Sequence, residues 1–531
     1  MGRLFQEKNG IKIFWGIFQY FALFAGIFLF FFWLTNFPRF ADPDSFYHVK
    51  IAEFLSQGEI FKVFPYLPFT ALSGAFSDQH FLYHLFLLPF FAVFKNHLFA
   101  AKIAANFFAS AVFVLFYGLL GKLNIKGRLF YIFVLLSSCT FIFRMNSPKA
   151  GVVSVILMIV LFWLILRKRY ILMFVCSFFW VWTHGSWPLA ILMASSFVLA
   201  AFSFNERTVP FWKRVFKKEN VKLIAAVCGG AIFGLILNPF FPKNILFNWI
   251  QTFKIGVLGY GFKIGVGSEW YPPGIWEIIS QTGLLLTLLL FAFLIFILAT
   301  FIKKRDLILK KEDFIPLFFC GIFSAALFFL ALKSRRNMEY FVPMAVLFSA
   351  MLINFSIAAL DKEIIKNYLK KIYWKIFLAA GFVVFVFCAV FIFCHNTGMA
   401  HSNFQKGFSW DKFKNASEYV KNNSESGEIV FHSDWDDFPM LFYWNDKNYY
   451  ISGLDPTFFY LNSRDLYEKY VKITSGEQAT DLAKIIKNDF RSRYVLIGKD
   501  HPKMANNFSK DKNFEAVCED DDAWVFKLKN Q

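Results

Sequence analysis

The chain has 531 residues, of which 57% are hydrophobic and 21% aromatic, with 77 Phe and a formal net charge of +19 from 56 Lys+Arg and 37 Asp+Glu. Such a composition excludes an ordinary soluble globular protein and makes a bilayer the main solvent. Residues 396–531 carry 18 basic and 21 acidic side chains, net −3, which leaves +22 on residues 1–395; the basicity therefore belongs to membrane loops, and nucleic acid is not an expected partner.

Ile11 to Trp33 matches the ~20 apolar residues that cross a bilayer. It is too long for a signal peptide and lacks a small-residue cleavage site, so it is predicted to remain as an anchor. Just beyond it, Ala41-Asp42-Pro43-Asp44-Ser45-Phe46-Tyr47-His48 sets two carboxylates, an aromatic pair and an imidazole where water, headgroups and a lipid-borne substrate meet. The same outer loop, residues 34–97, continues with an amphipathic stretch at 46–55 and with Asp78, His80 and His84. Residues four apart share a helical face, which gives these three a metal-ligand spacing; the alternative is that they solvate the top of an interfacial helix. Phe81 to Phe94 is apolar but only 14 residues long, and is predicted to lie at the interface or re-enter rather than span.

Membrane helices are predicted at 11–33, 98–120, 129–143, 150–166, 171–183, 187–204, 221–238, 283–302, 314–332, 340–360 and 374–395. With 81–94 left outside, the basic loops at Lys122 to Arg128, Arg167 to Arg169, 207–222, 303–311 and 362–375 all turn inward. The positive-inside rule then gives a multi-pass cell-membrane protein with a cytoplasmic N-terminus, 11 spans and an external C-terminal domain. Six cysteines lie in apolar segments and only Cys518 in the tail, so no external disulfide is expected.

On the predicted outer face, Thr183 to Pro188 forms a turn whose His184 reads as structural. The loop 239–281 holds Gly265-Val266-Gly267-Ser268-Glu269-Trp270-Tyr271-Pro272-Pro273, a single carboxylate framed by glycines, aromatics and a rigid diproline. Arg335 and Arg336 stand at an outer helix end where charge topology would not put them; paired arginines suit a lipid phosphate, and an Arg336 to Glu339 pair at helical spacing is equally compatible. After residue 395 the chain becomes charged and turn-rich. Strands at 428–432, 449–452 and 494–498 alternate with helices at 411–421, 464–473 and 478–487, the pattern of a small α/β domain. Ser433-Asp434-Trp435-Asp436-Asp437-Phe438-Pro439 follows the first strand, at the strand end where α/β folds collect ligands.

Four of these segments, in order, carry a resemblance: Asp44-Ser45-Phe46-Tyr47-His48-Val49-Lys50; Gly267-Ser268-Glu269 with Pro272-Pro273; Arg336 with six residues before Pro343; and Ser433-Asp434-Trp435-Asp436. The chain resembles the catalytic subunits of oligosaccharyltransferases, membrane glycosyltransferases of the GT-C type. That resemblance implies a polytopic α-helical GT-C-like domain over 1–395, with catalytic loops at 34–97 and 239–281, and an external α/β domain over 396–531. It implies a polyprenyl-(pyro)phosphate-linked sugar donor and a protein, glycan or lipid acceptor, within membrane lipids. Asp44 and Glu269 would be catalytic, Arg336 and Arg335 would bind the donor phosphate, and Trp435, Asp436 and Asp434 the acceptor. A magnesium or manganese ion would take Asp44 and Glu269. The family's second outer loop carries an acidic pair, whereas here it reads Arg144-Met145-Asn146-Ser147-Pro148-Lys149, so Asp42, Asp78 or His80 would complete the ion's ligands. The alternatives are a transporter or flippase of lipid-linked sugars, which would show repeats and midplane polar groups, and a non-catalytic membrane scaffold.

Overall fold

A computed structural model describes residues 2–203, 217–302, 311–359 and 372–529. The basic loops predicted at 207–222, 303–311 and 362–375 fall largely outside that set. The chain divides into two compact units, each built from several sequence segments.

The first unit comprises Met1–Phe37, Lys102–Gly234 and Tyr271–Lys406 and is helical. Among the described residues seven helices are long and apolar enough to cross a bilayer: Trp15–Leu34, His97–Lys122, Lys218–Ile236, Ile275–Phe301, Phe314–Lys333, Arg335–Ala358 and Ala379–Gln405. Arg128–Leu136 and Cys139–Met145 pass the same test together but meet at 85°, so the segment predicted as one span at 129–143 is broken at Ser137 and Ser138. The segments predicted at 150–166, 171–183 and 187–204 form helices of 16, 14 and 16 residues, shorter than an upright crossing requires. The polytopic helical architecture stands on these elements.

In lipid, helices associate through close packing of small residues. Gly230 and Gly234, four apart on Lys218–Ile236, meet the backbone of Tyr170–Thr183: a Cβ on Gly230 would lie 2.2 Å from the Phe174 carbonyl oxygen, and one on Gly234 2.8 Å from that of Phe178. Buried polar groups are held in the same unit. Lys102 donates from Nζ to the carbonyls of Thr35, at 2.8 Å, and Phe37, so a cation meets the open carbonyl end of the first helix.

The second unit comprises Pro38–Ala101, Leu235–Trp270 and Gly407–Gln531. The predicted boundary at 395 lies inside the helix Ile372–Gln405, and the unit unites the two outer loops with the C-terminal segment. Strand β1 (Arg39–Phe40) pairs antiparallel with β2 (Phe408–Ser409). Gly407 lies so close to β1 that a Cβ there would come within 2.3 Å of the Phe40 carbonyl oxygen. The Tyr450 N–H donates to the Tyr66 carbonyl (2.8 Å), and the Ala71 N–H to that of Phe458 (3.0 Å).

The C-terminal segment carries a five-stranded sheet in the order β4-β3-β5-β7-β6, formed by β3 (Ile429–His432), β4 (Tyr449–Tyr450), β5 (Ser492–Gly498), β6 (Phe514–Glu519) and β7 (Ala523–Leu528). The first three are the predicted strands and run parallel; β5, β7 and β6 are antiparallel, and the hairpin β6–β7 adds two strands to the three foreseen. Phe431, Val495, Ile497 and Phe526 turn inward against Tyr470, Ile473, Ile486 and Met504 of the flanking helices.

Candidate active site

Asp44 opens the helix Asp44–Ser56, directly after Pro43. Proline's fixed φ suits the first turn, and Asp42 Oδ1 accepts the Asp44 N–H at 3.0 Å, so the two carboxylates are tied together by the turn that starts the helix. The helix packs on Phe81–Val93 and Phe438–Trp444. Its burial is fixed by Phe46 against Tyr443, ring centroids 5.9 Å apart, and by Lys50 Nζ on Asp446 Oδ2 at 2.8 Å.

The Ser433 to Pro439 segment leaves the C-terminal end of β3 as expected. Asp434 caps the 3₁₀ turn Trp435–Asp437 by accepting the Asp436 N–H, 3.2 Å from Oδ1. His432 is buried and donates from Nδ1 to the Asp434 carbonyl at 2.7 Å, while its Nε2 accepts the Ser452 N–H at 3.3 Å. That arrangement is complete with a neutral ring, and burial lowers its pKa to about 4. Burial also opposes the charge on Asp434, but the His501 ring, 3.9 Å from Oδ2, and the hydrogen bond from the Asp436 N–H outweigh it and hold the carboxyl below its usual range. His501, paired with Asp434, is raised to about 9.

Asp436 is the group that connects the two segments. Its carboxyl is pushed well above the normal range, first by burial and then by the charges of Asp44 and Asp42. Asp437, buried and accepting from Ser433 Oγ at 3.0 Å, rises to about 7, from burial first and then Asp434 and Asp500. Like charges crowded in a dry site cannot all ionise, so protonated and ionised carboxyls coexist here at neutral pH. The third segment also arrives within this unit. Ser268–Trp270 is a 3₁₀ turn closed by the Trp270 N–H on the Gly267 carbonyl at 3.0 Å, and a Cβ on Gly267 would be 3.6 Å from Trp435 Cη2. Glu269 sits two residues from that contact with the tryptophan ring.

The histidines of the first outer loop are organised differently from a ligand set. Asp78 Oδ2 accepts from His84 Nδ1 at 2.7 Å, and Asp78 Oδ1 from the His80 N–H at 2.9 Å. His84 Nε2 lies 2.8 Å from His48 Nδ1, which makes a buried Asp78–His84–His48 chain. Both oxygens of Asp78 are therefore engaged by the protein. Among the described residues no group of three His, Cys, Asp or Glu is arranged to hold a metal ion. His48 joins His84 across 36 residues, a pairing that helical spacing alone does not reveal.

Arg335 and Arg336 belong to the first unit, in the 3₁₀ turn Arg335–Asn337. Arg335 donates its N–H to the Tyr271 carbonyl (3.1 Å), and its guanidinium meets the Pro272 carbonyl and Glu277 Oε2, each at 3.4 Å. Glu339, the candidate partner of Arg336, accepts from Arg144 Nε at 2.8 Å and is 2% exposed. The second outer loop, which lacks an acid, thus contributes the cation of a buried ion pair. His184 lies 2.8 Å from Ser186 Oγ and 3.3 Å from the Tyr340 hydroxyl, a local polar cluster consistent with a structural role.

No family model and no curated relative matches the amino-acid sequence. In three dimensions the chain is similar to the oligosaccharyltransferase of Archaeoglobus fulgidus in its apo form, with a TM-score of 0.62 and 11% identity over 90% of this chain and 69% of that one. It is also similar to the arabinofuranosyltransferase AftD from Mycobacteria, with a TM-score of 0.53 and 12% identity; that match covers 97% of this chain but 40% of AftD. At such identity the likeness is one of fold, and the fold distantly resembles that of the GT-C membrane glycosyltransferases.

Proposed function

We propose that the protein is a membrane glycosyltransferase that moves a glycosyl group from a polyprenyl-(pyro)phosphate-linked donor to an acceptor on the external face. The observation that carries this reading is the gathering, within one unit, of the Asp42–Asp44 turn, the half-buried Asp436 of the Trp435 turn and the Gly267–Glu269 turn. A non-catalytic scaffold has no need of such a carboxyl group cluster.

In the reaction, the acceptor's nucleophilic atom forms a bond to the anomeric carbon as the bond from that carbon to the phosphate oxygen breaks. The acceptor's proton passes to a carboxylate, and the departing phosphate retains the electron pair. Asp44 is assigned the acceptor's proton. Asp436, whose carboxyl is pushed up by burial and by the neighbouring charges of Asp44 and Asp42, is assigned to orient Asp44. Trp435 and Asp434 contribute to acceptor recognition, Glu269 orients the acceptor, and Arg336 is assigned the donor phosphate, with Arg335 shaping its turn. The described residues do not fit the magnesium or manganese ion that the resemblance implies, since no three His, Cys, Asp or Glu side chains converge on one point, and no step above is routed through it. The 11-span topology with an external C-terminus belongs to the same proposal, the three shorter helices and the bent pair completing the spans.

The test is transfer itself. Purified protein in lipid is incubated with radiolabelled polyprenyl-phosphate and polyprenyl-pyrophosphate sugars and with membrane extract as acceptor. Label moving from the polyprenyl fraction into a new product supports the reading; donors that bind and move across the bilayer without being consumed would replace it with transport.

A further inference from the structure

The segment that leads into the Glu269 turn has a face that its own unit does not cover. Lys243–Asn248 is α-helical and Trp249–Leu258 continues it as a π-helix. An α-turn takes 3.6 residues and the π-turn is wider, so a repeat of four runs straight along the pair. Phe241, Ile245, Trp249, Phe253 and Val257 follow that repeat, and they are 48%, 49%, 52%, 38% and 54% exposed. Just past the helix end, Phe262 is fully exposed. The opposite face is packed: Asn244, Phe247, Ile250 and Ile255 are buried, and Phe247 stacks on Phe458 with ring centroids 5.8 Å apart.

We propose that this stripe is a docking surface for the phospholipid bilayer, lying in the interfacial layer with Phe262 as its outermost anchor. Two observations select lipid as the occupant. The stripe begins five residues after Ile236, the end of a candidate span, and an extended chain of that length reaches at most ~17 Å, so Phe241 is tethered within reach of the headgroups. Its composition is that of an interfacial helix: aromatics and aliphatics on one side, Lys243, Lys254 and Lys263 beside them, and no acid from Leu235 to Gly267. The consequence is mechanical: bilayer docking of 241–262 fixes the near end of the loop whose far end carries Glu269.

The experiment places p-benzoylphenylalanine singly at Trp249, Val257 and Lys472 of the full chain, reconstituted in vesicles of phosphatidylcholine and phosphatidylglycerol. Lys472 is exposed on a helix of the same unit and serves as the reference. After irradiation, intact-mass and peptide analysis should find phospholipid adducts at 249 and 257 at about fivefold or more the yield at 472, since an interfacial helix buries its apolar face ~5–10 Å into the headgroup boundary. Equal lipid yields at all three positions would overturn the proposal, as would adducts at 249 and 257 to a second copy of the chain. The aromatic replacement at 249 preserves bulk and hydrophobicity, and vesicle co-flotation with unchanged thermal unfolding identifies a folded variant. These outcomes do not depend on the transferase reading.

Discussion

Replacing Asp437 by Asn should stabilise the protein above neutral pH and leave it almost unchanged in acid. The Asp437 carboxyl rises from 3.8 to about 7, a shift of roughly three units, and each unit corresponds to about 1.4 kcal/mol between the two protonation states. Because the folded pKa is the raised one, the group favours folding fully below its unfolded pKa, and that contribution disappears as pH climbs through about 7. Wild-type protein at about pH 8.5 must either carry a buried charge or hold a proton at a cost, an upper bound of about 4 kcal/mol. Asparagine has no charge to bury, and its side-chain oxygen can still accept from Ser433 Oγ, so most of that cost should vanish. The assay is thermal unfolding of the purified full chain at about pH 4 and pH 8.5, wild type against Asp437→Asn, because the difference closes only near the unfolded pKa of 3.8. A variant that melts several degrees higher at the alkaline pH, with the gap closing in acid, is the expected result. A variant less stable than wild type at both pH values would refute the argument, and would show Asp437 to be an ionised hydrogen-bond acceptor that the turn requires.

Arg144→Ala leaves Glu339 buried without its cation and should cost about 3 to 5 kcal/mol, whereas adding Glu339→Gln should recover much of the loss; thermal unfolding of the two variants measures both effects. Arg336→Ala should weaken binding of a polyprenyl-phosphate sugar by about 2 to 5 kcal/mol, and Trp435→Ala should raise the acceptor concentration needed for transfer while donor binding is unchanged; direct binding and transfer assays separate them. Reporter enzymes fused after Asn124 and after Ser409 should be active on the cytoplasmic and external sides respectively, and an external residue 124 would overturn the proposed topology.

The long helices were legible in sequence because continuous apolar runs of this length have few other uses. Their ends were not. Helix Ile372–Gln405 runs past the apolar segment, and the Asn396 side-chain nitrogen there is satisfied within the protein, donating to the Ser137 carbonyl at 2.7 Å and to that of Gln281 at 3.3 Å. The polar stretch after residue 395, read as the start of a domain, thus continues a helix. Strands β3 and β5 announce themselves through β-branched and aromatic residues, whereas β6 carries Glu515, Cys518 and Glu519 and is joined to β7 by three aspartates. Asp44, Glu269 and Trp435 stood out because carboxylates and an acidic tryptophan turn are conspicuous in an apolar chain. What composition could not convey was the non-local pairing: Asp436 with Asp44 and Asp42, or His84 with His48. Single-segment spacing suggested metal ligands at Asp78 and His80, but the tertiary fold engages Asp78 with the two histidine partners instead.

The central claim is that Asp44 takes the acceptor's proton in glycosyl transfer. Asp44→Asn keeps the size of the side chain and its capacity for hydrogen bonding at the helix start, while removing the charge and the basicity. The decisive measurement is single-turnover transfer from a polyprenyl-linked sugar by Asp44→Asn beside equilibrium binding of the same donor. The account predicts transfer reduced by about a hundredfold or more with donor affinity within about threefold of wild type. Transfer at the wild-type rate would contradict it and remove Asp44 from the chemistry.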